Sequence, residues 1–394
     1  MPLAIYVLGL AIFAQGTSEL MLAGLLPQLA ADLGVSIPDA GLLISAFAIG
    51  MLVGAPVLAV LTLRVPRRTA MLVFLAIFVG THVAGALTPN YGVLFATRIV
   101  GAVAYAGFWA ATTITALRLV APTGRGRAMA VLVGGLTLAT VIGLPGGTFI
   151  SEYLGWRAAF WAVAIMSALA MVAVAVTVPA GRPDTANPPR LRLELRAMAQ
   201  PQLWIAYAVT ALSVGATLVT FSYLAPLLID VTGLPTGWVP VVLVIYGVGS
   251  AAGIAIGGRI ADTRPFPTLY VGLSGVVVVS VALALTARFP VVVVVLVGVL
   301  GAFGFLTNPA VNTRVFALGE AAPTLAVSTN ISAFNIGITV APWLGGLAIG
   351  AGFGYPSVAW IGAGLGLAAL ATVLLAAALA HRSPPVREPV PASG

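Results

Sequence analysis

Two ionisable residues, Glu19 and Arg98, lie inside long apolar stretches of the sequence, and Glu19 is the only carboxylate so placed. An ionised carboxylate in hydrocarbon costs several kcal/mol unless it is paired or hydrated, so we expect Glu19 to face a cavity and to take up and release protons. Arg98 is a permanent cation that could change the proton affinity of Glu19. The alternatives are a glutamate satisfied by neighbouring hydroxyls and an arginine that only ties two helices together.

Three further side chains share helical faces with this pair. Gln15 lies one turn before Glu19, and Tyr105 and Trp109 follow Arg98 at helical spacing. Aromatic faces suit a planar organic ring, which they bury and stack against while a few polar groups orient it. We therefore predict that these residues contact a substrate, although an aromatic stripe is also common in plain helix packing.

Uncharged polar residues dominate the apolar stretches in the second part of the chain. Amides and hydroxyls at membrane depth need partners, which are either neighbouring helices or a polar ligand in a hydrated cavity. For any single residue, helix–helix bonding is the commoner use, but the set indicates a cavity for a neutral polar solute. The candidate substrate-binding residues in this part are Phe221, Tyr223, Asn308, Asn312, Asn330, Phe334 and Asn335.

Apolar runs of about 20 residues predict an all-α polytopic membrane protein. The composition, 60% hydrophobic and 7% charged, agrees and excludes a globular protein enclosed by polar surface. The predicted membrane-spanning helices are 3–30, 38–63, 69–88, 91–117, 127–151, 157–179, 202–229, 237–260, 267–287, 290–313, 323–350 and 356–380.

The 18 basic residues, all arginine, alternate from one gap between spans to the next. Only Arg157 and Arg288 lie in odd-numbered gaps. The even-numbered gaps and the C-terminal tail hold Arg64, Arg67, Arg68, Arg118, Arg125, Arg127, Arg182, Arg190, Arg192, Arg196, Arg259, Arg264, Arg314, Arg382 and Arg387. Because cytoplasmic loops retain basic residues, we predict a multi-pass protein of the cell inner membrane with both termini cytoplasmic. The net charge of +8 then reports orientation against an anionic leaflet and not nucleic-acid binding.

Similar features recur at an offset of about 200 residues. Pro145-Gly146-Gly147 in span 5 has a counterpart in Pro342-Trp343-Leu344-Gly345-Gly346 in span 11, and Arg64-Val65-Pro66 has one in Arg264-Pro265. These pairs predict two pseudo-symmetric six-helix halves, an arrangement that places a transport site near mid-membrane between the repeats. The predicted boundaries are an N-terminal half at 1–180, a cytoplasmic linker at 181–200, a C-terminal half at 201–382 and a cytoplasmic tail at 383–394.

Four motifs give the chain a resemblance to a known family. They are Gln15-Gly16-Thr17-Ser18-Glu19, Arg98-Ile99-Val100-Gly101, Gly143-Leu144-Pro145-Gly146-Gly147 and Gly258-Arg259-Ile260-Ala261-Asp262-Thr263-Arg264. Together they resemble the major facilitator superfamily, and more narrowly its twelve-span drug:proton antiporters. The opening 51 residues are especially similar to the bacterial chloramphenicol exporters of that group.

The resemblance implies a function and roles for particular residues. The expected activity is proton-coupled export of a small hydrophobic drug, chloramphenicol first, by alternating access in a monomer. It implies that Glu19 serves drug recognition and protonation and that Arg98 serves proton transfer. Efflux of a sugar or an endogenous metabolite by the same mechanism is the nearest alternative.

Span 5 carries a weakened form of the antiporter signature of this family, with Gly143, Pro145, Gly146 and Gly147. Pro145 removes one helical hydrogen bond and should bend the helix, while the glycines permit close approach of another backbone. We predict that this face closes against span 8, where glycines recur at four-residue intervals as Gly249, Gly253 and Gly257.

The cytoplasmic loop signature departs from the family pattern. Leu63 stands where the family has an acidic residue in the first half, whereas Asp262 supplies that acid in the second. A charge latch from the first loop is therefore doubtful, and its arginines could serve only to fix topology. The candidate gating residues in these loops are Arg64, Arg67, Arg68, Asp262 and Arg264.

Other classes of protein fit the sequence less well. A chain without lysine has no G-x-x-x-x-G-K-[ST] loop, so we expect no nucleotide. A membrane-integral enzyme would need clusters of histidine, acid or cysteine, but the chain has two distant histidines and no cysteine. His82 could relay protons but is more simply structural, and we do not assign it to the site. A receptor or scaffold would not need Glu19 and Arg98 in the bilayer. The expected partners are a small-molecule substrate, protons and lipid, without metal, cofactor or nucleic acid.

Overall fold

The computed structural model describes residues 1–61, 65–121, 125–180, 198–261, 263–319 and 323–382. Within these stretches the chain forms 12 helices long and apolar enough to cross a membrane. The predicted all-α fold of twelve spans is confirmed. The helices are α1 Leu3–Leu33, α2 Ile37–Leu61, α3 Arg67–Leu87, α4 Tyr91–Arg118, α5 Arg125–Leu138 continuing through a π-helical turn at Ala139–Gly143 into Leu144–Leu154, α6 Trp156–Thr177, α7 Pro201–Ser222 continuing through Leu224–Pro226 and Leu227–Val231, α8 Val239–Ile260 after a 3-10 turn at Thr236–Trp238, α9 Pro265–Thr286, α10 Pro290–Leu318, α11 Pro323–Gly350 and α12 Ser357–Arg382.

The helices form because the polar N–H and C=O groups of a backbone in lipid must hydrogen-bond to each other. Large apolar side chains accordingly point outward, as with Val176, which is 80% exposed, and Val291, which is 78% exposed. Local signals set the helix ends. The Asn90 side chain accepts a hydrogen bond from the backbone of Val93 at the start of α4, and Gly34 ends α1 with a φ of +65°.

The helix ends agree with the predicted spans to within a few residues at most positions, and α10 is an exception. It continues five residues beyond the predicted end at 313, to Leu318, so Arg314 lies within the helix and not in a loop. Of the predicted linker, residues 181–197 lie outside the described residues, as does the predicted tail at 383–394.

An even number of crossings brings both chain ends to one side of the bundle. We call the side where α1 begins and α12 ends the terminal face and the other side the opposite face. Among the first six helices, α1 packs against α5 and α6, and α4 against α2 and α3. Among the last six, α7 packs against α11 and α12, and α10 against α8 and α9. The two sets meet where α2 contacts α11 and where α5 contacts α8.

Polar contacts between the two sets lie toward the opposite face. Ser45 of α2 donates a hydrogen bond of 2.8 Å to the carbonyl oxygen of Thr339 in α11. Thr236, just before α8, donates a hydrogen bond to the Glu152 carboxylate at the end of α5. These contacts hold the described residues of the two sets together at this face.

The predicted contact of α5 with α8 is present, at Gly247 against Thr140 and Val141, but the predicted glycines of α8 do not make it. A Cβ placed on Gly257 would lie 2.5 Å from the carbonyl oxygen of Leu306, and one on Gly249 or Gly253 would collide with the α10 backbone. These three glycines therefore allow α8 to pack closely against α10. A small-residue stripe predicts that some helix approaches closely, but it does not identify that helix.

The α5 glycines also have a different neighbour, because they pack on α1. A Cβ on Gly143 would lie 2.9 Å from the Cβ of Thr17, and one on Gly147 would lie 3.0 Å from the Cβ of Met21. Nothing lies within 4 Å of the corresponding position on Gly146. Pro145 lies two residues after the π-helical turn at Ala139–Gly143, so α5 departs from regular α-helix next to it. The glycines Gly143 and Gly147 of the span 5 signature thus form part of the surface against which α1 packs.

Candidate functional site

Arg98 lies inside the first six helices and is only 2% exposed. Its guanidinium donates hydrogen bonds to the hydroxyl oxygen of Ser18, at 2.8 Å, and to the Ser18 carbonyl oxygen, at 3.0 Å. The charged group also lies 4.3 Å from the centre of the Phe47 ring, a favourable cation–π position. Arg98 therefore joins α4 to α1 at the residue that precedes Glu19.

Glu19 makes no ion pair and no hydrogen bond with any described residue. Its side chain is half-buried near the middle of α1, although Gln15, Thr17 and Ser18 around it are buried. The neighbouring Arg98 donates its hydrogen bonds to Ser18 and not to Glu19. This leaves the Glu19 carboxylate without a hydrogen bond or ion pair among the described residues, near the middle of α1, although the charge of Arg98 lies near enough to act on it.

Gln15 is fully buried, yet both its amide nitrogen and its amide oxygen lack a partner among the described residues. A buried amide left unpaired costs roughly 1–3 kcal/mol, so such a group usually meets water or a ligand. The predicted grouping of Gln15 with Glu19 on one face of α1 thus presents two polar side chains without protein partners.

Tyr105 and Trp109 lie side by side on α4, as their spacing predicts. Their ring centres are 6.3 Å apart in an edge arrangement, and the Phe47 ring is 6.0 Å from Tyr105. The Tyr105 hydroxyl lies 3.6 Å from the position that a Cβ on Gly16 of α1 would take. Tyr105 is buried and Trp109 half-buried, so the aromatic stripe faces α1 and α2.

His82 belongs to the same cluster, which the sequence interpretation missed. Its Nε2 lies 2.5 Å from the Ser18 hydroxyl oxygen, and its Nδ1 lies 2.8 Å from the Phe78 carbonyl oxygen. The imidazole also lies close to the rings of Phe78 and Phe160. Ser18 and His82 are 64 residues apart, and no local pattern in either helix links them.

In the last six helices the predicted amides form a chain of hydrogen bonds. Asn330 accepts a hydrogen bond of 2.9 Å from Thr210 and donates one of 2.8 Å to the Asn312 side chain. Asn312 in turn donates to the carbonyl oxygen of Asn308 at 3.0 Å. Asn330 and Asn312 therefore bond neighbouring helices, which is the alternative that the sequence left open.

Two amides in this region keep free groups. The half-buried side chain of Asn308 has no hydrogen-bond partner within the described stretches. Asn335 is 4% exposed and donates to the Ile331 carbonyl oxygen at 2.9 Å, while its own side-chain oxygen has no described partner. In this respect Asn308 and Asn335 resemble Gln15 of the first six helices, whose side-chain amide also lacks a described partner.

The three predicted aromatic residues of the last six helices have different surroundings. Phe221 stacks on Tyr246 with ring centres 4.6 Å apart, and the Tyr246 hydroxyl is buried with no described partner. Tyr223 is fully buried and donates a hydrogen bond of 2.7 Å to the carbonyl oxygen of Pro342. Phe334 packs at the edge of an apolar cluster that includes Val209. Phe221 thus lies beside a free hydroxyl, whereas Tyr223 and Phe334 have packing partners.

The predicted loop residues that the structure describes, Arg67, Arg68 and Arg264, lie apart from this polar region. Arg64 and Asp262 lie outside the described residues. Arg67 begins α3, and Arg68 donates a hydrogen bond to the carbonyl oxygen of Ala175 in α6. Arg264 is exposed immediately before α9.

Arg314 lies within α10, whereas the sequence predicted it in a loop. Its guanidinium lies 4.0 Å from the centre of the Phe266 ring. It is half-buried in α10, toward the terminal face. A longer predicted span 10 would have identified it.

Comparison with known proteins gives consistent matches along the chain. The family model described as Major Facilitator Superfamily matches residues 8–323. The chain is 44% identical over 352 residues to the chloramphenicol resistance protein of Streptomyces lividans, covering 89% of this chain and 90% of that one. It is 34% identical over 370 residues to the inner membrane transport protein YdhP of Escherichia coli K12, covering 94% of this chain and 95% of that one.

Solved structures share the fold. A bacterial homolog of the human lysosomal transporter Spinster, in an inward-facing and unoccupied conformation, matches with a TM-score of 0.73 and 19% identity over 98% of each chain. The nucleoside transporter NupG matches with a TM-score of 0.77 and 14% identity over 95% of this chain and 99% of that one. At these identities the likeness concerns the fold alone.

Proposed function

Since the chain belongs to the major facilitator superfamily, we propose that this secondary transporter exports a small, largely apolar drug in exchange for protons, with chloramphenicol as the leading substrate. Support for the substrate comes from the relative named as a chloramphenicol resistance protein, which is 44% identical over 89% of this chain. Membership of a transporter family also means that the protein is a multi-pass membrane protein and not an enzyme.

The unpaired carboxylate of Glu19 carries the proposal of proton coupling. It lies at mid-membrane depth, half-buried and without a described partner, while the neighbouring Arg98 bonds Ser18. A carboxylate in such a position is costly when ionised and is usually functional. A proton on Glu19 removes that cost, so exchange of a proton for drug is the transport cycle that this geometry supports best.

The drug would bind between the two sets of six helices. On one side Gln15 offers an unpartnered amide, and Tyr105 and Trp109 offer an aromatic face. On the other side Asn308 and Asn335 offer free amide groups. A mostly apolar cavity with a few polar groups suits a nitrophenyl ring that carries hydroxyl and amide substituents.

The direction of export follows from a proposed orientation. We place the terminal face in the cytoplasm because the arginine-rich gaps lie there, so the contact of Thr236 with Glu152 closes the outer side. The protein is then a monomer of two six-helix halves, 1–180 and 201–382, joined by the linker at 181–200. Drug enters from the cytoplasm, and rocking of one half against the other exposes it outside.

Proton entry supplies enough energy for this cycle. Each proton contributes about 2.3 kcal/mol per 100 mV of membrane potential. It contributes about 1.4 kcal/mol more for each unit of pH difference. For a neutral drug, one proton per cycle thus suffices for roughly tenfold or greater accumulation.

Uptake of labelled chloramphenicol into inside-out vesicles tests the proposal. Wild type and Glu19→Gln are compared at equal membrane abundance, with an imposed pH gradient and with that gradient collapsed. We expect gradient-driven accumulation in the wild type and none in Glu19→Gln. Asp39→Asn is the matched control, since it neutralises an exposed carboxylate at the opposite face and should accumulate drug as the wild type does.

Two results would overturn parts of the proposal separately. Wild-type vesicles that accumulate no chloramphenicol would remove that substrate and favour a sugar or an endogenous metabolite. Full accumulation by Glu19→Gln would remove Glu19 as the coupling group while keeping the substrate.

A further inference from the structure

The Ser18 hydroxyl is the centre of a buried chain of hydrogen bonds that spans three helices. Arg98 of α4 donates to its oxygen at 2.8 Å, and His82 of α3 lies 2.5 Å away on the other side. Ser18 is fully buried, and His82 is 3% exposed. Both groups are therefore shielded from bulk water, and the chain ends one residue before Glu19.

The partners of His82 fix the tautomer of its neutral ring. Nδ1 lies 2.8 Å from the Phe78 carbonyl oxygen, which can only accept, so Nδ1 carries the hydrogen. In the neutral ring Nε2 is then an acceptor, and the Ser18 hydroxyl donates to it. That donation turns the lone pairs of the Ser18 oxygen toward the guanidinium of Arg98.

The charges around His82 favour this neutral form. A proton on Nε2 would place a second cation across one oxygen atom from Arg98, with only Glu19 nearby as a countercharge. On the neighbouring α6, Phe160 lies against the imidazole, and the described charge of that helix, Arg157, is paired with Asp32 at the opposite face. No described charged group of α3 lies in the turns next to His82.

We propose that His82 is a positioning residue for Glu19. By accepting the Ser18 hydroxyl proton, it orients Ser18 to hold Arg98 on α1 and so keeps the guanidinium, although close to Glu19, from forming an ion pair with its carboxylate. This inference rests on the proposed role of Glu19 as the proton-coupling group. It assigns a function to a histidine that the sequence pattern favours as structural.

Loss of the acceptor at position 82 has a defined consequence. The Ser18 hydroxyl would be free to rotate, and Arg98 would gain the freedom to approach Glu19. An arginine beside a carboxylate favours its ionised form and moves its titration down by about one to three pH units. Protonation of Glu19 would then need a lower pH.

Infrared titration of the purified protein without substrate tests this inference. The carbonyl stretch of the protonated Glu19 carboxyl is assigned by its loss in Glu19→Gln, and its pH midpoint is measured in each variant. We expect His82→Leu to lower the midpoint by about one pH unit or more. His82→Gln should keep the wild-type midpoint, because its amide oxygen can accept the Ser18 proton although the side chain does not titrate.

Ser18→Ala provides a second route to the same result, should His82→Leu fail to fold. It removes the hydroxyl itself and should lower the midpoint in the same direction. A wild-type midpoint in both His82→Leu and Ser18→Ala would overturn the inference and leave the proposed function intact. A shift in His82→Gln as large as that in His82→Leu would also overturn it. Absence of any band that depends on Glu19 would overturn the proposed coupling role and this inference together.

Discussion

The two sets of six helices solve the problem of buried polarity in different ways. In the first set a fixed cation, Arg98, is held by Ser18 while the carboxylate of Glu19 stays unpaired. In the last set the amides of Asn330 and Asn312 bond each other and a backbone carbonyl group. The first set therefore holds an unpaired carboxylate that a proton can neutralise, whereas the amide chain of the last set consists of neutral groups.

This difference implies a division of work. Protonation alters interactions in the first set by the large energies of charge in a membrane, whereas a neutral interhelical hydrogen bond there is worth only about 0.6 kcal/mol on average. We therefore propose that proton coupling belongs to the first set and that both sets recognise the substrate. Substitutions in the two sets should differ in kind as well as in size.

The largest expected effect comes from Arg98 of α4 and Arg314 of α10. Arg98→Met removes two charge-assisted hydrogen bonds, each worth about 1.5–3 kcal/mol, and should lower gradient-driven transport by about 100-fold or more. Arg314→Met, its counterpart in the last set, loses a cation–π contact worth about 0.5–2 kcal/mol and should cost at most about tenfold. Initial rates of drug uptake at equal protein abundance measure both. Equal losses of transport in the two variants would contradict the proposal that proton coupling belongs to the first set.

The next effect concerns the packing of α5 against α1, the helix that carries Ser18 and Glu19. Gly143→Ala places a Cβ against Thr17 and should destabilise the protein by about 1–3 kcal/mol, as overpacking typically does. Gly146→Ala is the matched control, because its Cβ meets nothing within 4 Å and its unfolding midpoint should not change. Thermal unfolding in detergent compares them. A Gly143→Ala protein as stable as Gly146→Ala would show that α1 does not rest on this glycine.

A smaller effect is expected from the neutral set. Asn308→Ala removes a free amide, and a neutral hydrogen bond to the substrate is worth about 0.5–1.5 kcal/mol, so drug affinity should fall about two- to tenfold. The pH dependence of transport should not change, since no charge is lost. Binding isotherms and pH profiles of Asn308→Ala test the two statements separately. A shifted pH profile would mean that the last set also takes part in coupling.

The smallest effect concerns closure between the sets at the opposite face. Thr236→Val removes the hydrogen bond to Glu152, and the loss of about 0.5–1.5 kcal/mol should raise the open population about two- to tenfold. Because the chain has no cysteine, a single cysteine at Leu243, which is fully buried, can report opening by its rate of thiol labelling. Thr286→Val, which loses only a hydrogen bond within α9, is the control. Equal labelling rates in the two variants would exclude Thr236 as part of the closure.

The sequence predicts the fold well because hydrophobic length is a local property. It also predicts that Glu19 and Arg98 matter, since charge within an apolar run stands out in one dimension. It does not predict that Ser18 contacts both Arg98 and His82, because that cluster depends on how α1, α3 and α4 pack. The error over the α8 glycines has the same origin, since close approach is encoded locally but the partner is not.

Proton release on drug binding tests the assignment of coupling to the first set most directly. Purified protein in weak buffer receives chloramphenicol while a pH indicator records the protons released, for wild type, Glu19→Gln and Asn308→Ala. We expect release from the wild type, none from Glu19→Gln, and wild-type release from Asn308→Ala at a higher drug concentration. Undiminished release from a Glu19→Gln protein that binds the drug would contradict the account.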